Sequence, residues 1–388
     1  MRVLHIITRL DRGGSADNTL LSCIGQRRRG HEVVLAAGLG LTEESPMRPE
    51  AESEGVQLVR IPSLIRAVHP VKDAVALRAC WRLIRGGRFD LVHTHTSKAG
   101  ILGRLAARLA GGCRVVHTPH GHVFYGYFGP WKTRLFIWAE RLMARWTDAI
   151  VTLTDREAEE HLALGVGRPS QFVTIFSGIP LPGPKARAGT GPSRRRALGL
   201  PAEGALVGSV GRLDPIKGHG LLIQAFALLG DRHPGARLIL IGEGEKREEY
   251  QALARELGVA EGVRFMGWRD DVGDLLEELD LFAFPSRNEG MGRAAVEAMA
   301  AGLAVVAART GGLPEVVREE ETGLLVPPGD AAALSAAIGR LLARPEERRA
   351  MGEAGRRLAQ AYSAERMCEK IEALYQRLLA PTAPGFAG

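Results

Sequence analysis

Pro285-Ser286-Arg287-Asn288-Glu289-Gly290-Met291-Gly292-Arg293-Ala294-Ala295-Val296-Glu297 follows the apolar run Leu281-Phe282-Ala283-Phe284. The run predicts a buried strand over 281–284, the glycines a loop, and the Ala- and Val-containing continuation a helix over 292–301. A strand feeding through a glycine loop into a helix is half of a βαβ unit, whose sheet is parallel. The backbone N–H groups of Gly290, Met291 and Gly292 would then sit at a helix N-terminus, where unpaired donors and the helix dipole make an anion site. Glu289 lies just before that terminus, and Glu297 lies inside the helix, eight residues later and about two turns along from Glu289. One carboxylate could reach a sugar beside a phosphate, the other a ribose diol. The same two residues also fit an acid favoured by the dipole plus an ordinary surface glutamate.

A second stretch decides between these readings. Val207-Gly208-Ser209-Val210-Gly211-Arg212-Leu213-Asp214-Pro215-Ile216-Lys217-Gly218 predicts a strand over 205–210 that runs into a Gly/Pro turn presenting Arg212 and Lys217. Two cations at a strand's C-terminal end, opposite a helix N-terminus, would neutralise a diphosphate. A departing nucleoside diphosphate gains charge as its bond breaks, so donors already in place there assist the reaction. A salt-bridged surface loop is the bland alternative. The glycines of 208–211 echo a dinucleotide fingerprint, but the third glycine and the ribose acid do not follow, which disfavours a nicotinamide oxidoreductase.

Outward from these stretches the alternation continues. Further strands are predicted at 237–241, 263–266, 304–307 and 324–326, with helices at 219–229, 245–257, 271–278, 314–319 and 331–343. Two last helices follow at 346–361 and 364–379. Before residue 180 the same rhythm gives strands at 2–8, 32–38, 56–61, 90–95, 114–119, 149–153 and 172–176. Helices are predicted between them at 15–29, 70–86, 98–110, 131–147 and 155–164. Continuous apolar strands alternating with helices predict an α/β fold of two doubly wound, Rossmann-like parallel sheets facing a cleft. The Pro- and Gly-rich stretch 180–204, with Arg194-Arg195-Arg196, reads as a linker. The predicted boundaries are 1–182 for a first domain, 183–200 for the linker and 201–362 for a second domain. The helix over 364–380 is expected to pack back onto the first domain.

Composition bounds the function. At 388 residues, 45% hydrophobic and 24% charged, the chain can bury two ordinary cores. No uncharged apolar run approaches the length of a spanning helix, and the N-terminal apolar stretch is too short for a signal peptide. The four cysteines Cys23, Cys80, Cys113 and Cys368 are scattered without a C-x-x-C pair, as in a reduced, cytoplasmic-type protein. The net charge of +7 is uneven. Residues 1–190 hold 26 Lys and Arg against 16 Asp and Glu, and residues 191–388 hold 25 against 28. A basic first half suits nucleic acid, an anionic membrane surface or a phosphorylated substrate, or is simply a solvated surface.

The chain is similar to the family 4 retaining glycosyltransferases of GT-B architecture, also called glycosyl transferases group 1. The likeness covers nearly the whole chain. It rests on Gly13-Gly14, His93-Thr94-His95-Thr96-Ser97-Lys98-Ala99-Gly100, His117-Thr118-Pro119-His120-Gly121-His122 and Ser177-Gly178-Ile179-Pro180. Gly211-Arg212 to Lys217, and Glu289 and Glu297 with seven residues between them, complete it. It implies transfer of a hexose-type sugar from a nucleoside diphosphate, with a UDP-sugar the expected donor, to an acceptor hydroxyl with retention. Arg212 and Lys217 would hold the diphosphate together with the N–H groups of Gly290 and Met291. Glu289 would bind the transferred sugar, and Glu297 the nucleotide ribose. His120 would reach the sugar from the first domain, Gly13 and Gly14 would let their loop approach closely, and Phe265 would lie on the base-binding edge. Front-face attack, with the departing phosphate taking the acceptor's proton, is the family's expectation, as is domain closure over the donor. The family's usual Asn-Gly-Ile-Asp is replaced by Ser177-Gly178-Ile179-Pro180, and Arg293 puts a cation in the first turn of its helix, a cost that a diphosphate nearby would offset.

His93, His95, His117, His120 and His122 raise a metal reading. It is set aside because neighbours such as His93 and Thr94 point to opposite faces of a strand and no Cys or carboxylate completes a set. There is no Asp-x-Asp motif, so donor binding is expected to need no divalent metal or other cofactor. On the acceptor side, residues 124–146 hold eight of the 21 aromatics. Trp131, Leu135, Trp138, Leu142 and Trp146 recur on one helical face, a stripe that predicts core packing. The loop His122 to Pro130, with Phe124, Tyr125, Tyr127 and Phe128 followed by Lys132, Arg134, Arg141 and Arg145, fits either a packed loop or a lipid-linked acceptor and a membrane surface. Two rivals remain: a nucleotide-sugar epimerase of the same architecture, and a basic polyanion or nucleic-acid binder, which Glu289 and Glu297 disfavour.

Overall fold

The computed structural model describes residues 1–11, 13–39, 45, 47–121, 129–181 and 191–380. Seven strands form the first sheet: β1 (Arg2–Arg9), β2 (Glu32–Leu39), β3 (Gln57–Arg60), β4 (Leu91–His95), β5 (Arg114–Thr118), β6 (Ala149–Thr152) and β7 (Phe172–Thr174). Their order is β3-β2-β1-β4-β5-β6-β7, and every pairing is parallel. The second sheet holds β8 (Leu206–Val210), β9 (Arg237–Ile241), β10 (Val263–Gly267), β11 (Leu281–Phe284), β12 (Val305–Ala308) and β13 (Gly323–Val326), in the order β10-β9-β8-β11-β12-β13, again all parallel. In each, the chain starts at the centre, winds to one edge, then returns past the first strand to build the other. The crevice at that reversal is where open α/β sheets place ligands.

The strands predicted from apolar runs are all present, because residues such as Leu4, Ile6, Val92, Val116, Leu238, Leu240, Phe282 and Val306 are covered on both sheet faces. Two helices go beyond that expectation. Arg48–Ser53 is too short to show a period. Pro192–Ala197 lies inside the stretch expected to be a linker and corrects that expectation. Pro192 stands at its first position, where a missing N–H costs nothing. Arg194 then donates to Asp274, Glu277 and Glu278, and Arg195 to Asp280 and the carbonyl of Glu278. The basic run is therefore the docking face of a helix and not a solvated tether; residues 183–190 lie outside the described residues.

The chain divides into two compact units, Met1–Gly178 with the segment from Ala364 onward, and Ile179–Ser363. Helix Ala364–Leu379 joins the first unit because Met367, Cys368, Ile371, Leu374 and Tyr375 share one face. They pack against Val3, Leu91, Val116, Ala149 and Val151. Burying each such side chain is worth about 1.5–3 kcal/mol, enough to hold a returning helix. At the junction, a Cβ on Gly178 would sit 2.6 Å from Ala364 Cα. Ser177, standing where the family commonly has Asn, accepts a hydrogen bond from Asn18 Nδ2 at 2.8 Å.

Candidate active site

The second unit brings its predicted cations and acids to neighbouring strand ends. β8 ends at Val210, and the chain turns through Gly211, Arg212 and Leu213 into a short 3₁₀ turn, Pro215–Lys217. Asp214 caps that turn, its Oδ1 accepting from the N–H groups of Ile216 and Lys217, both at 3.1 Å. Its other oxygen accepts from Arg212 Nη2 at 2.8 Å. Asp214, which has no role in the motif as read from sequence, thus organises both cations; an Asp before Pro at a turn is the signal that points to it.

Across from this turn, the loop after β11 supplies Glu289. Its Oε1 is ion-paired with Lys217 Nζ and accepts from Ser286 Oγ at 2.8 Å. The two loops are tied by Arg287 N donating to the Ile216 carbonyl at 2.8 Å. On the far side, Gly312 N donates to the Glu289 carbonyl at 3.2 Å. Gly311, at φ +52°, makes this approach possible: a Cβ there would lie 1.9 Å from the Glu289 carbonyl oxygen. Gly290, Met291 and Gly292 lead directly into helix Arg293–Ala300. Glu297 sits in the middle of that helix and accepts from Arg293 Nε at 2.9 Å. Arg293 in the first turn is therefore compensated by Glu297 one turn on, within the helix itself and not only by an outside anion. Lys217 and Arg212 differ in setting: the Lys217 side chain is 24% exposed and stands over the Phe284 ring, whereas Arg212 is 65% exposed. Phe265, on edge strand β10, packs its side chain against the core of the unit, leaving backbone to any ligand at that edge.

His219, one residue past Gly218, is fully buried, and neither ring nitrogen has a hydrogen-bond partner among the described residues. Burial, reinforced by Lys217, pulls its pKa down to about 4, so it is neutral at pH 7.

The first unit carries a different arrangement. Gly13 precedes helix Gly14–Arg28 at the end of β1. Parallel register sets His5 on β1 beside His93 on β4, and His95 falls on the same face two residues on. His5 Nε2 meets Gln26 Oε1 at 2.9 Å, His5 Nδ1 meets His95 Nε2 at 2.8 Å, and His95 Nδ1 meets His120 Nε2 at 2.9 Å. His93 pairs separately with Tyr375 Oη at 2.6 Å and Thr118 Oγ1 at 2.7 Å. Burial lowers all four pKa values, His5 to about 4 and His120 to about 3, so the rings are neutral at pH 7. Each neutral ring has one donor and one acceptor. With the Gln26 carbonyl oxygen facing His5, the protons run in one direction: His5 donates from Nε2 to Gln26, His95 from Nε2 to His5, and His120 from Nε2 to His95. His120 Nδ1 is left as a bare acceptor, buried and without a partner among the described residues. The residue holds a left-handed backbone, φ +59°, a strain that costs about 1–3 kcal/mol and recurs at functional sites.

His5, His93 and His95 each bring a ring nitrogen within 4.8 Å of the others. Alternation along one strand separates His93 from Thr94 but overlooks this triad, which forms from His95 and the neighbouring strand. The nitrogens are already engaged with one another, with Gln26, Tyr375, Thr118 and His120, so hydrogen bonding satisfies the cluster as it stands. The loop aromatics Phe124, Tyr125, Tyr127 and Phe128, and His122, lie outside the described residues. The expected core role of the helical stripe after them is corrected by the structure: Trp131, Leu135 and Trp138 are exposed.

Residues 192–358 match the family described as glycosyl transferases group 1, and residues 13–176 the glycosyl transferase 4-like domain. A D-inositol 3-phosphate glycosyltransferase from Saccharomonospora viridis is 34% identical over 312 residues, covering 76% of this chain and 71% of the relative. The Escherichia coli UDP-Gal:alpha-D-GlcNAc-diphosphoundecaprenol alpha-1,3-galactosyltransferase is 28% identical over 74% of this chain and 75% of its own. Among solved structures, the Anabaena protein HepE with UDP and glucose superposes with a TM-score of 0.82 at 22% identity, over 97% of this chain and all of that one. The sucrose-phosphate synthase of Thermosynechococcus elongatus superposes at 0.81 with 25% identity, over 98% of this chain and all of its own.

Proposed function

Because the chain belongs to the glycosyl transferases group 1 family and is a glycosyltransferase of GT-B fold, we propose that it moves a hexose-type sugar from a UDP-sugar to a hydroxyl of a glycan or lipid-linked acceptor, with retention and without a divalent cation. The observation that carries this reading is the junction of Lys217 with Glu289 at adjacent strand ends, with Arg212 on the same capped turn. A cation beside a carboxylate suits a donor whose diphosphate needs charge and whose sugar needs a hydrogen-bond acceptor. Lys217 and Arg212 take the diphosphate with the N–H groups of Gly290 and Met291, and Gly211 and Gly292 keep the two loops narrow. Glu289 then turns to the sugar and Glu297 to the ribose, exchanging its Arg293 contact for the diol. The backbone beside Phe265 meets the base. We assign the bare Nδ1 of His120 to a sugar hydroxyl, and Gly13 and Gly14 to close approach of their loop. The positive diphosphate cradle supplies what a metal would otherwise supply, which supports metal independence.

The UDP donor is favoured because the galactosyltransferase relative names UDP-Gal and the HepE structure holds UDP. The acceptor class is favoured by that relative's diphosphoundecaprenol substrate, and it implies work in cell-envelope glycan assembly at the cytoplasmic side of a membrane, with the protein peripheral to it. No helix among the described residues is long and apolar enough to cross a membrane. Thermal shift against UDP, GDP and ADP, followed by transfer assays with the matching sugars, tests the reading. Stabilisation by UDP with transfer to a lipid-linked acceptor is the expected result. Donor turnover without an acceptor would favour an epimerase instead.

A further inference from the structure

Helix Pro130–Ala144 turns to solvent a face whose pattern predicts burial. Trp131 is 81% exposed, Leu135 65% and Trp138 61%. Spacings of 4 and 3 put them in one stripe, which half-buried Leu142 continues. At 100° per residue, the exposed Arg134, Arg141 and Arg145 run along one flank of the stripe, and exposed Lys132 stands on the other. The helix has one carboxylate, Glu140, and it points the opposite way, buried against Arg104 Nη2 at 2.6 Å. That inner face also carries Met143 and Ala144, the latter packed with Ile150 and Val166. The outward face therefore combines two tryptophans, two leucines and four cations with no acid.

A second exposed apolar run, Val68, Val71 and Val75, makes a useful contrast. It has no aromatic group, and Asp73 within it is ion-paired with Lys98.

We infer that the Trp131–Leu135–Trp138 face of this helix is a docking surface for an anionic phospholipid membrane. Tryptophan is suited to the bilayer interface, where its ring is buried and its N–H stays wet. Arginines beside it reach lipid phosphates while their stems lie along the apolar surface. A helix of this length lies in the interface plane and cannot span. The excess positive charge of residues 1–190 has the same sign, so the approach to an anionic leaflet is favoured over a longer range. The inference rests on the reading that the acceptor is lipid-linked and names the surface that would bring the enzyme to it.

The test is co-sedimentation of the full chain with vesicles of phosphatidylcholine alone and of phosphatidylcholine with about one third phosphatidylglycerol. Binding to the anionic vesicles only, weakening as salt rises, is expected. Trp131→Ser with Trp138→Ser should lower that affinity by at least about tenfold, while Val71→Ser with Val75→Ser leaves it unchanged. All four positions are exposed, so both variants keep their fold, and both should retain the UDP-dependent thermal shift of the parent. Failure of the parent to bind anionic vesicles, or equal binding by the tryptophan variant, overturns the inference. So does a dimer in sedimentation velocity that the tryptophan variant dissolves, because the face would then belong to a second copy. A missing UDP shift in the parent chain would count against the donor site and leave the vesicle result standing.

Discussion

In the first unit the candidate sugar-binding group is His120, neutral, shielded, and reached through a line of equally neutral imidazoles. In the second, the candidate diphosphate group is Lys217, partly exposed and already held by Glu289. The two solutions suit different ligands. A sugar hydroxyl is best met by an acceptor whose direction is set beforehand and which attracts no counter-ion. A diphosphate needs full positive charge, and Lys217 carries its charge beside the Glu289 carboxylate, which offsets the cost of partly burying it. In the exchange Lys217 keeps a charge-assisted partner, the diphosphate taking the place of the carboxylate. On this account Glu289 is a placeholder for the diphosphate first and a partner for the sugar afterwards.

Lys217→Ala or Arg212→Ala should lower turnover by about 10²–10³-fold if they stabilise the leaving diphosphate; steady-state rates like those of the parent would remove that role. The histidine line should make the first unit sensitive to acid. Its folded pKa values lie below the unfolded value of about 6.5, so the unfolded state binds more protons and stability falls as pH drops from about 6.5 towards 4. His5 alone contributes a loss on the order of 3 kcal/mol by pH 4. A melting temperature flat across that window would contradict the buried neutral rings, and His5→Gln should flatten part of the slope. Gly311→Ala forces a Cβ onto the Glu289 carbonyl and should cost about 1–3 kcal/mol of stability, with loss of donor affinity, by denaturant melts and calorimetry. The smallest effect concerns chelation: EDTA should leave activity largely intact, whereas abolition restored by Mg²⁺ or Mn²⁺ would overturn the metal-free reading.

Much of this architecture is legible in the amino-acid sequence. Most strands carry largely apolar runs, so their limits can be read to within a residue or two, and Arg212, Lys217 and Glu289 stand out as charged residues in the Gly-containing turns after β8 and β11. What escapes such reading depends on tertiary neighbours. Helical period assigns Trp131, Leu135 and Trp138 to one face but cannot say whether anything covers that face. The basic Arg194–Arg196 resembles a solvated tether because its partners, Asp274 to Asp280, lie some eighty residues away. The imidazole line needs the β1–β4 register, which no single strand reveals. Gly311 gives no local signal because its role is to avoid another residue's carbonyl.

Isothermal titration of UDP into the parent chain, Lys217→Ala and Glu289→Gln addresses the placeholder directly. Lys217→Ala should lose most of its UDP affinity, while Glu289→Gln, freeing Lys217, should bind UDP at least as tightly as the parent even as transfer falls. Undiminished UDP binding by Lys217→Ala, or a matching loss in Glu289→Gln, would contradict the account.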